Sequence, residues 1–268
     1  MSKNHLKTFL QARLSRESFL GLHLTLGVLV LSVATWIFAD LAEDVATGDP
    51  LTLTDARFSN WLHAHTTHSL TTVMLLITNL HSTLGVALMT SAVSIYLWRR
   101  RLRHWVFTLL LTVYGGMILN FWLKGVFQRA RPHFDDPLLT LTSYSFPSGH
   151  TMMATVFYGT LSAIVISRVR DWRWRVLTII VALFFIALVG FSRIYLGVHY
   201  LSDVLGAMAE GAAWLALCLT AIGTMRRRNR RQEQEAERQK EKGKRQKEKE
   251  GRRQRGDELA NRQLIADC

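Results

Sequence analysis

The feature that most constrains this chain is a series of apolar stretches with little charge, separated by short charged clusters. These stretches occupy residues 19–41, 82–98, 105–123, 151–166, 176–194 and 201–223. A helix needs about 20 mostly apolar residues to cross a bilayer, and each stretch comes close to that length. The sequence therefore predicts an all-α fold, a polytopic membrane helical bundle with six transmembrane helices.

The segment between the first two predicted spans is mixed and amphipathic over residues 55–79. We expect it to lie along the outer membrane interface before the second span turns inward. Alternatively, its second half, residues 71–79, extends the second span. The first stretch has a longer apolar core than a typical secretory signal and no clear small-x-small cleavage site after it, which favours an uncleaved span.

Basic residues mark alternate ends of the predicted spans. They are Lys3, Lys7, Arg13 and Arg16 before the first span, Arg99, Arg100, Arg101 and Arg103 after the second, Arg168, Arg170, Arg173 and Arg175 after the fourth, and Arg226, Arg227 and Arg228 after the sixth. The opposite side carries mostly acidic residues, namely Glu43, Asp44, Asp49 and Asp55. Because basic loops stay in the cytoplasm, both termini are predicted to be cytoplasmic.

The net charge of +13 is compatible with a nucleic-acid partner or with a membrane protein that has a basic cytoplasmic side. The basic clusters flank apolar spans, which favours membrane lipids as partners and no nucleic acid. The sequence then divides into a cytoplasmic N-terminal segment at 1–18, a six-span domain at 19–223 and a basic cytoplasmic tail at 224–268. The tail has too few apolar residues to bury a core, so we expect disorder or a solvated helix.

Three polar clusters lie at the ends of predicted spans. The first covers residues 124–132 after the third span, the second covers 146–150 before the fourth, and the third covers 192–203 between the fifth and sixth. Counting spans places all three at the same, extracytoplasmic face. Charges in membrane segments are rare without a function, so this convergence indicates a functional site.

The clusters contain groups suited to binding an anion. Lys124, Arg131 and Arg193 bring three cations to one face, and an arginine fork donates two parallel hydrogen bonds to phosphate. Ser148 and Gly149 come at the start of a predicted helix, where free N–H groups and close backbone approach favour an anion. These five residues are therefore predicted to bind a phosphate group and the extra charge of its transition state.

Two histidines supply the candidate chemistry. His199 and Asp203 are four residues apart, so on a helix the carboxylate reaches one imidazole nitrogen and leaves the other free to attack phosphorus. His150 is predicted to protonate the leaving group as a general acid and then to activate water. The sequence has no carboxylate cluster of the kind that binds metal, so neither a metal nor a cofactor is expected.

Together, the three clusters resemble the signature of the type 2 phosphatidic acid phosphatase superfamily. The matching positions are Lys124 through Pro132, Pro147-Ser148-Gly149-His150, Ser192-Arg193, His199 and Asp203. The resemblance implies a helical bundle in which His199 is the nucleophile, His150 the acid and Asp203 the residue that orients His199. It also implies that Lys124, Arg131, Ser148, Gly149 and Arg193 bind the phosphate. The motifs of the resemblance cover residues 124–203, and the layout of the spans extends it to residues 19–223.

The expected function is metal-independent hydrolysis of a lipid phosphate or pyrophosphate at the extracytoplasmic face, through a phosphohistidine. The superfamily includes bacterial phosphatases of undecaprenyl pyrophosphate and phosphatidylglycerophosphate, which are the expected substrates, with phosphatidic acid next. The expected location is a bacterial inner membrane, with the site facing the periplasm or exterior. Two alternatives are a vanadate-dependent haloperoxidase-like activity and non-catalytic binding or transport of a lipid phosphate.

Two further polar residues lie inside predicted spans. Asn120 comes one turn before Lys124 and is predicted to form an ordinary interhelical hydrogen bond. Glu210 lies seven residues after Asp203 on the same helical face. It is either a functional carboxyl group or a packing partner for polar groups between helices.

Overall fold

The computed structural model describes residues 22–48 and 50–266. Within them the chain forms eight helices and no strand: α1 Leu22–Thr47, α2 Pro50–Ala64, α3 His68–Leu80, α4 Thr83–Arg99, α5 Arg103–Phe127, α6 Gly149–Ile166, α7 Trp172–Tyr195 and α8 Leu201–Ala266. The predicted all-α class is confirmed for these residues. The predicted N-terminal segment at 1–18 and the first residues of the first span lie outside the described residues.

Five helical segments among the described residues are long and apolar enough to cross a membrane. They are Leu24–Thr47, Arg103–Phe127, Gly149–Ile166, Trp172–Tyr195 and Leu201–Arg245. Large apolar side chains are exposed along the bundle, including Trp36, Leu76, Leu84, Ile118, Phe121, Ile180 and Phe184. An apolar surface of this extent is suited to contact with lipid. The bundle therefore has five candidate spans, and a sixth if one bent pair of helices is counted.

The bent pair consists of α3 and α4, whose axes differ by 55° across a short break. At the break, the His81 N–H donates to the Ile77 carbonyl at 3.2 Å and the Ser82 N–H donates to the Asn79 carbonyl at 3.1 Å, and α3 ends there. Ser82 then caps α4, since its hydroxyl accepts a hydrogen bond from the Gly85 N–H at 3.2 Å. The bent pair corresponds to the alternative in which residues 71–79 extend the second span, whereas residues 55–64 lie in α2.

The centre of the bundle is α6, which packs between α5 and α7. Its buried side chains form one apolar cluster with α4, α5 and α8, made of Val86, Leu97, Leu109, Val113, Met152, Met153, Val156, Phe157 and Ala207. A polar contact crosses the same interface, where the hydroxyls of Thr112 and Thr160 lie 2.9 Å apart. Small polar residues of this kind hold membrane helices together.

A second apolar cluster joins α2 and α3 to the turn between α7 and α8. Its members are Leu62, Met74, Ile194, Tyr195, Leu196, Val198 and Val204. The Tyr195 hydroxyl accepts a hydrogen bond from the Thr67 N–H at 2.9 Å, which links the start of α3 to the end of α7. The early helices α2 and α3 are thus packed against the turn that leads into α8.

Four helix ends meet where this turn lies: the C-termini of α5 and α7 and the N-termini of α6 and α8. Helix α5 ends at Gln128, whose left-handed backbone (φ 45°) turns the chain into the loop before α6. The chain also contains a second compact unit, Ala221–Cys268. The side chains at 227–245 in that unit are exposed, and Arg245 pairs with Glu241 one turn earlier at 2.7 Å.

Candidate active site

A cavity of about 320 Å³ opens at the end of the bundle where the four helix termini meet. Six of the eight predicted site residues line it, namely Lys124, Arg131, Gly149, His150, Arg193 and His199. The other two, Ser148 and Asp203, are fully buried behind them. Five apolar side chains also line the cavity, namely Met117, Phe121, Leu141, Met152 and Met153. The fold thus brings the three sequence clusters together around one space with polar and apolar walls.

The orientation of His199 follows from its two neighbours. Its Nδ1 lies 3.2 Å from Asp203 Oδ2, and its Nε2 lies 3.1 Å from Arg131 Nη1. A guanidinium has only donors, so Nε2 must be the acceptor and the imidazole proton resides on Nδ1. The Nδ1–H then donates to the carboxylate. Arg131 and Asp203 therefore select the tautomer whose Nε2 lone pair is the one available for attack.

His199 is also buried, with 2% of its surface exposed. Burial lowers the pKa of the imidazole to about 3, against the opposing effect of Asp203, which raises it. The ring is consequently neutral at physiological pH. A neutral imidazole is the form that acts as a nucleophile.

The cations of the cavity are held in different ways. Lys124 Nζ donates to the Tyr144 and Ser145 carbonyls at 2.6 and 3.2 Å. Arg131 Nε donates to the Ser143 carbonyl at 2.6 Å, and its Nη1 donates to the Val198 carbonyl at 2.5 Å. These bonds tie the loop before α6 to the end of α5 and to the turn between α7 and α8.

Arg193 differs from the other two because much of its guanidinium has no protein acceptor. It is 1% exposed, and its Nη1 donates to the Thr78 hydroxyl of α3. Among the described residues, its Nε and Nη2 have no hydrogen-bond partner. Buried donors without an acceptor are costly, so this guanidinium is suited to an anion in the cavity.

Ser148 and Gly149 lie at the N-terminus of α6. The Ser148 N–H donates to the Asp203 carbonyl at 3.1 Å, and its hydroxyl accepts from the Thr151 hydroxyl at 3.0 Å. A Cβ at Gly149 would lie 3.2 Å from Asn120 Oδ1. The first N–H groups of a helix have no partner within the helix, so a glycine here allows an anion to approach them closely.

Sequence reasoning missed two residues whose side chains contact Asp203 and a third that contacts one of these two. Ser145 donates its hydroxyl to Oδ2, and Arg129 Nη1 donates to Oδ1 at 2.6 Å. Arg129 in turn forms an ion pair with Asp55 at 2.9 Å. The sequence offers one signal for Arg129, because it is the remaining basic residue of the 124–132 cluster. Asp55 was interpreted only as an acidic residue of an outer loop, but the structure buries it against the site.

The two polar residues of the spans contact each other. Asn120 Nδ2 donates to Glu210 Oε2 at 2.8 Å, which is the predicted interhelical bond of Asn120. The other Glu210 oxygen has no partner among the described residues. Across residues 22–48 and 50–266, no three His, Cys, Asp or Glu side chains lie close enough together to hold a metal ion.

The region that contains the candidate site resembles a known protein family. Residues 105–227 match the family model of the PAP2 superfamily. The resemblance to PAP2 proteins is thereby confirmed. The matched region contains all eight predicted site residues. It leaves out Asp55 and Thr78, two earlier residues that contact site arginines, and Thr83, which lines the cavity.

The curated relatives that this region resembles are named phosphatases. Phosphatidylglycerophosphatase B of Bacillus subtilis is 38% identical over 111 residues, which are 41% of this chain and 54% of that protein. Lipid A 1-phosphatase of Rhizobium etli is 34% identical over 129 residues, 44% and 50% of the two chains. Undecaprenyl-diphosphatase of Sulfolobus acidocaldarius is 30% identical over 135 residues, 48% and 61%. The matches thus span about half to three fifths of each relative.

The crystal structure of a transmembrane PAP2-type phosphatidylglycerolphosphate phosphatase from Bacillus subtilis has the same fold. It superposes with a TM-score of 0.65 at 28% identity and covers 70% of this chain and 93% of that chain. The likeness extends well beyond the motifs and includes the helical layout. Together with the apolar spans, it identifies this chain as an integral membrane protein.

Proposed function

We propose that this chain is a PAP2-type lipid phosphatase that hydrolyses a lipid phosphate or pyrophosphate through a phosphohistidine on His199. The observation that carries the proposal is the state of His199. Its Nδ1 lies within hydrogen-bond distance of Asp203 and its Nε2 beside Arg131, so Nδ1 carries the proton and Nε2 the lone pair. A nucleophile in this state, within a cavity lined by three cations, is suited to attack on phosphorus.

In the first step, the phosphate group binds Lys124, Arg131 and Arg193 and the N-terminus of α6. Arg131 shifts its hydrogen bond from Nε2 to a phosphate oxygen, which frees the lone pair. His199 Nε2 then forms a bond to phosphorus as the bond from phosphorus to the lipid oxygen breaks. His150 gives a proton to that oxygen, and Asp203 stabilises the positive charge on the His199 ring.

In the second step, water hydrolyses the phosphohistidine. His150, now neutral, accepts a proton from the water as its oxygen bonds to phosphorus. The bond from Nε2 to phosphorus breaks and returns its electron pair to His199, which releases inorganic phosphate. The side chains supply the nucleophile, the acid and the base, so we propose that no metal or cofactor takes part.

For the substrate, we propose undecaprenyl pyrophosphate or phosphatidylglycerophosphate, with phosphatidic acid next. The names of the relatives support this choice, since they act on lipids that end in a phosphate. The cavity supports it through its composition, because the cations suit the phosphate and Phe121 and Met117 suit the adjoining lipid. The proposed phosphate-binding residues recognise the phosphate group and not the apolar tail of the lipid.

We also propose the arrangement of the chain in the membrane. The six-span domain at 19–223 carries the phosphatase, with both termini and the basic tail at 224–268 in the cytoplasm. The site then faces the periplasm or exterior of a bacterial inner membrane. The alternation of basic loops supports this topology, and a reporter fused to the C-terminus would test it through its activity on either side of the membrane.

The enzymatic test is phosphate release by the purified protein in detergent with EDTA. The substrates are undecaprenyl pyrophosphate, phosphatidylglycerophosphate, diacylglycerol pyrophosphate and phosphatidic acid. We expect release from at least one lipid, unaffected by EDTA and abolished in His199→Ala. Wild-type rates in His199→Ala would overturn the mechanism. Halide oxidation with added vanadate, or lipid binding without phosphate release, would favour the two alternative functions.

A further inference from the structure

A buried acidic residue from outside the PAP2-matched region contacts the candidate active site. Asp55 lies in α2, 50 positions before residue 105, where the match begins. Its carboxylate is 2% exposed and makes an ion pair with Arg129. Burying a charged carboxylate costs desolvation free energy that hydrogen bonds and opposite charges must offset. The contacts of Asp55 therefore indicate its role.

Arg129 connects this carboxylate to the His199–Asp203 pair. Its Nη2 donates to Asp55 Oδ2 at 2.9 Å, and its Nη1 donates to Asp203 Oδ1 at 2.6 Å. The guanidinium also lies over the Tyr200 ring at 4.4 Å. One cation therefore bridges two buried carboxylates, and the second of these accepts the hydrogen bond of the proposed nucleophile.

Asp55 also holds the start of α8. Its Oδ1 accepts the Ser202 N–H at 3.1 Å, and its Oδ2 accepts the Ser202 hydroxyl. This is the function of a helix cap, although the capping side chain comes from a distant helix. Because Asp203 follows Ser202 directly, the same carboxylate fixes both the backbone before Asp203 and the cation that binds its side chain.

We propose that Asp55, acting through Arg129, is a positioning residue for the His199–Asp203 pair, an inference that rests on the proposed phosphatase function. With Asp55 in place, Arg129 is fixed and its charge is shared between two carboxylates. Without the Asp55 charge, Asp203 is the one carboxylate that Arg129 contacts among the described residues, and Arg129 then offsets more of the negative charge with which Asp203 stabilises the His199 ring. Asp55 does not line the cavity, so the effect is on the chemical step and not on phosphate binding.

The test compares Asp55→Asn, Arg129→Gln and the double variant in full-length protein. Asparagine keeps an oxygen for the Ser202 N–H and removes the charge that faces Arg129. Ser59→Ala is the matched control, because Ser59 is one turn further along α2 and equally buried, and its hydroxyl has no partner among the described residues. For each protein, kcat and KM for phosphate release and the melting temperature are measured.

We expect Asp55→Asn to lower kcat about 10-fold or more and to leave KM within about threefold, with Ser59→Ala unchanged. We expect Arg129→Gln to lower kcat about 100-fold. The double variant should then be no slower than Arg129→Gln, because Asp55 acts through that arginine. If Asp55 only stabilised the fold, we would not expect kcat to fall while KM is retained, nor the effects of the two substitutions on kcat to be non-additive.

A kcat for Asp55→Asn within twofold of the control would overturn the inference, as would a double variant that shows the product of the two single losses. If Asp55→Asn does not fold, Arg129→Gln decides, since it removes the cation through which Asp55 acts. A kcat of Arg129→Gln within twofold of the control would overturn the inference. An active wild type with an unaffected Asp55→Asn refutes only this inference, whereas an inactive wild type refutes the proposed function as well.

Discussion

Replacing Asp203 by asparagine tests the proposed support of His199 by a negative charge. Asparagine has nearly the same shape and keeps one oxygen that can accept the His199 Nδ1–H. The carboxylate and the positive ring that forms during attack are separated by 3.2 Å between the bonded atoms, or about 4 Å between charge centres. At an effective dielectric constant of about 20, two unit charges at that distance interact by about 4 kcal/mol.

A loss of about 4 kcal/mol corresponds to a fall in kcat of about 10³-fold. Ser145→Ala is the control, because it removes a neutral hydroxyl that contacts the same carboxylate and His199 Nδ1, and we expect a fall of about 10-fold or less. The assay is phosphate release in detergent, with the melting temperature as a check on folding. A folded Asp203→Asn protein with kcat within threefold of wild type would refute the role of this charge.

Two further predictions concern Arg193 and the response to pH. Thr78→Val removes the hydroxyl that accepts from Arg193 and should weaken inhibition by vanadate about 10-fold. Thr78→Ser keeps a hydroxyl, so its inhibition by vanadate should stay within about twofold of the wild type. Equal inhibition of the two variants would contradict this prediction. Burial lowers the pKa of His199 in the folded protein to about 3, below the ordinary imidazole value of 6.5. At a pH between these two pKa values the unfolded chain binds more protons than the folded protein, so the stability of the fold decreases as the pH drops below 6.5. The melting temperature should therefore fall less between pH 7 and pH 5 in His199→Asn than in wild type, and an equal or steeper fall would be evidence against the buried neutral imidazole.

Much of the candidate site could be predicted because its residues lie at span ends. Counting apolar stretches is enough to place residues 124–132, 146–150 and 192–203 at one end of the bundle. The short-range pairing of His199 with Asp203 follows from helical spacing, and the structure shows that contact at 3.2 Å. The roles of these residues in catalysis are still predictions that the proposed assays address.

The contacts made by α2 and α3 could not be predicted from local pattern. Asp55 meets Arg129 across 74 positions, and Thr78 meets Arg193 across 115. No periodicity within one helix specifies such pairs, since they depend on how α2 and α3 pack against the turn before α8. The acidic character of Asp55 suggested only an outer loop, because burial is a property of the folded chain.

The break between α3 and α4 was only partly visible in the sequence. Hydropathy allowed residues 71–79 either to lie at the interface or to extend the second span. The structure joins α3 and α4 as a bent pair, with Ser82 as the cap at the break. The bend matters for the site because α3 carries Thr78 to Arg193, while Thr83 at the start of α4 lines the cavity.

The most direct test of the account is to trap the phosphorylated protein. Purified protein is mixed with a lipid phosphate that carries a label in its terminal phosphate, and the reaction is quenched in alkali, in which phosphohistidine is stable. The protein is then digested, and the labelled peptide is identified. We predict label on His199 in the wild type and none in His199→Ala. Label on another residue, or turnover by His199→Ala at the wild-type rate, would contradict the account.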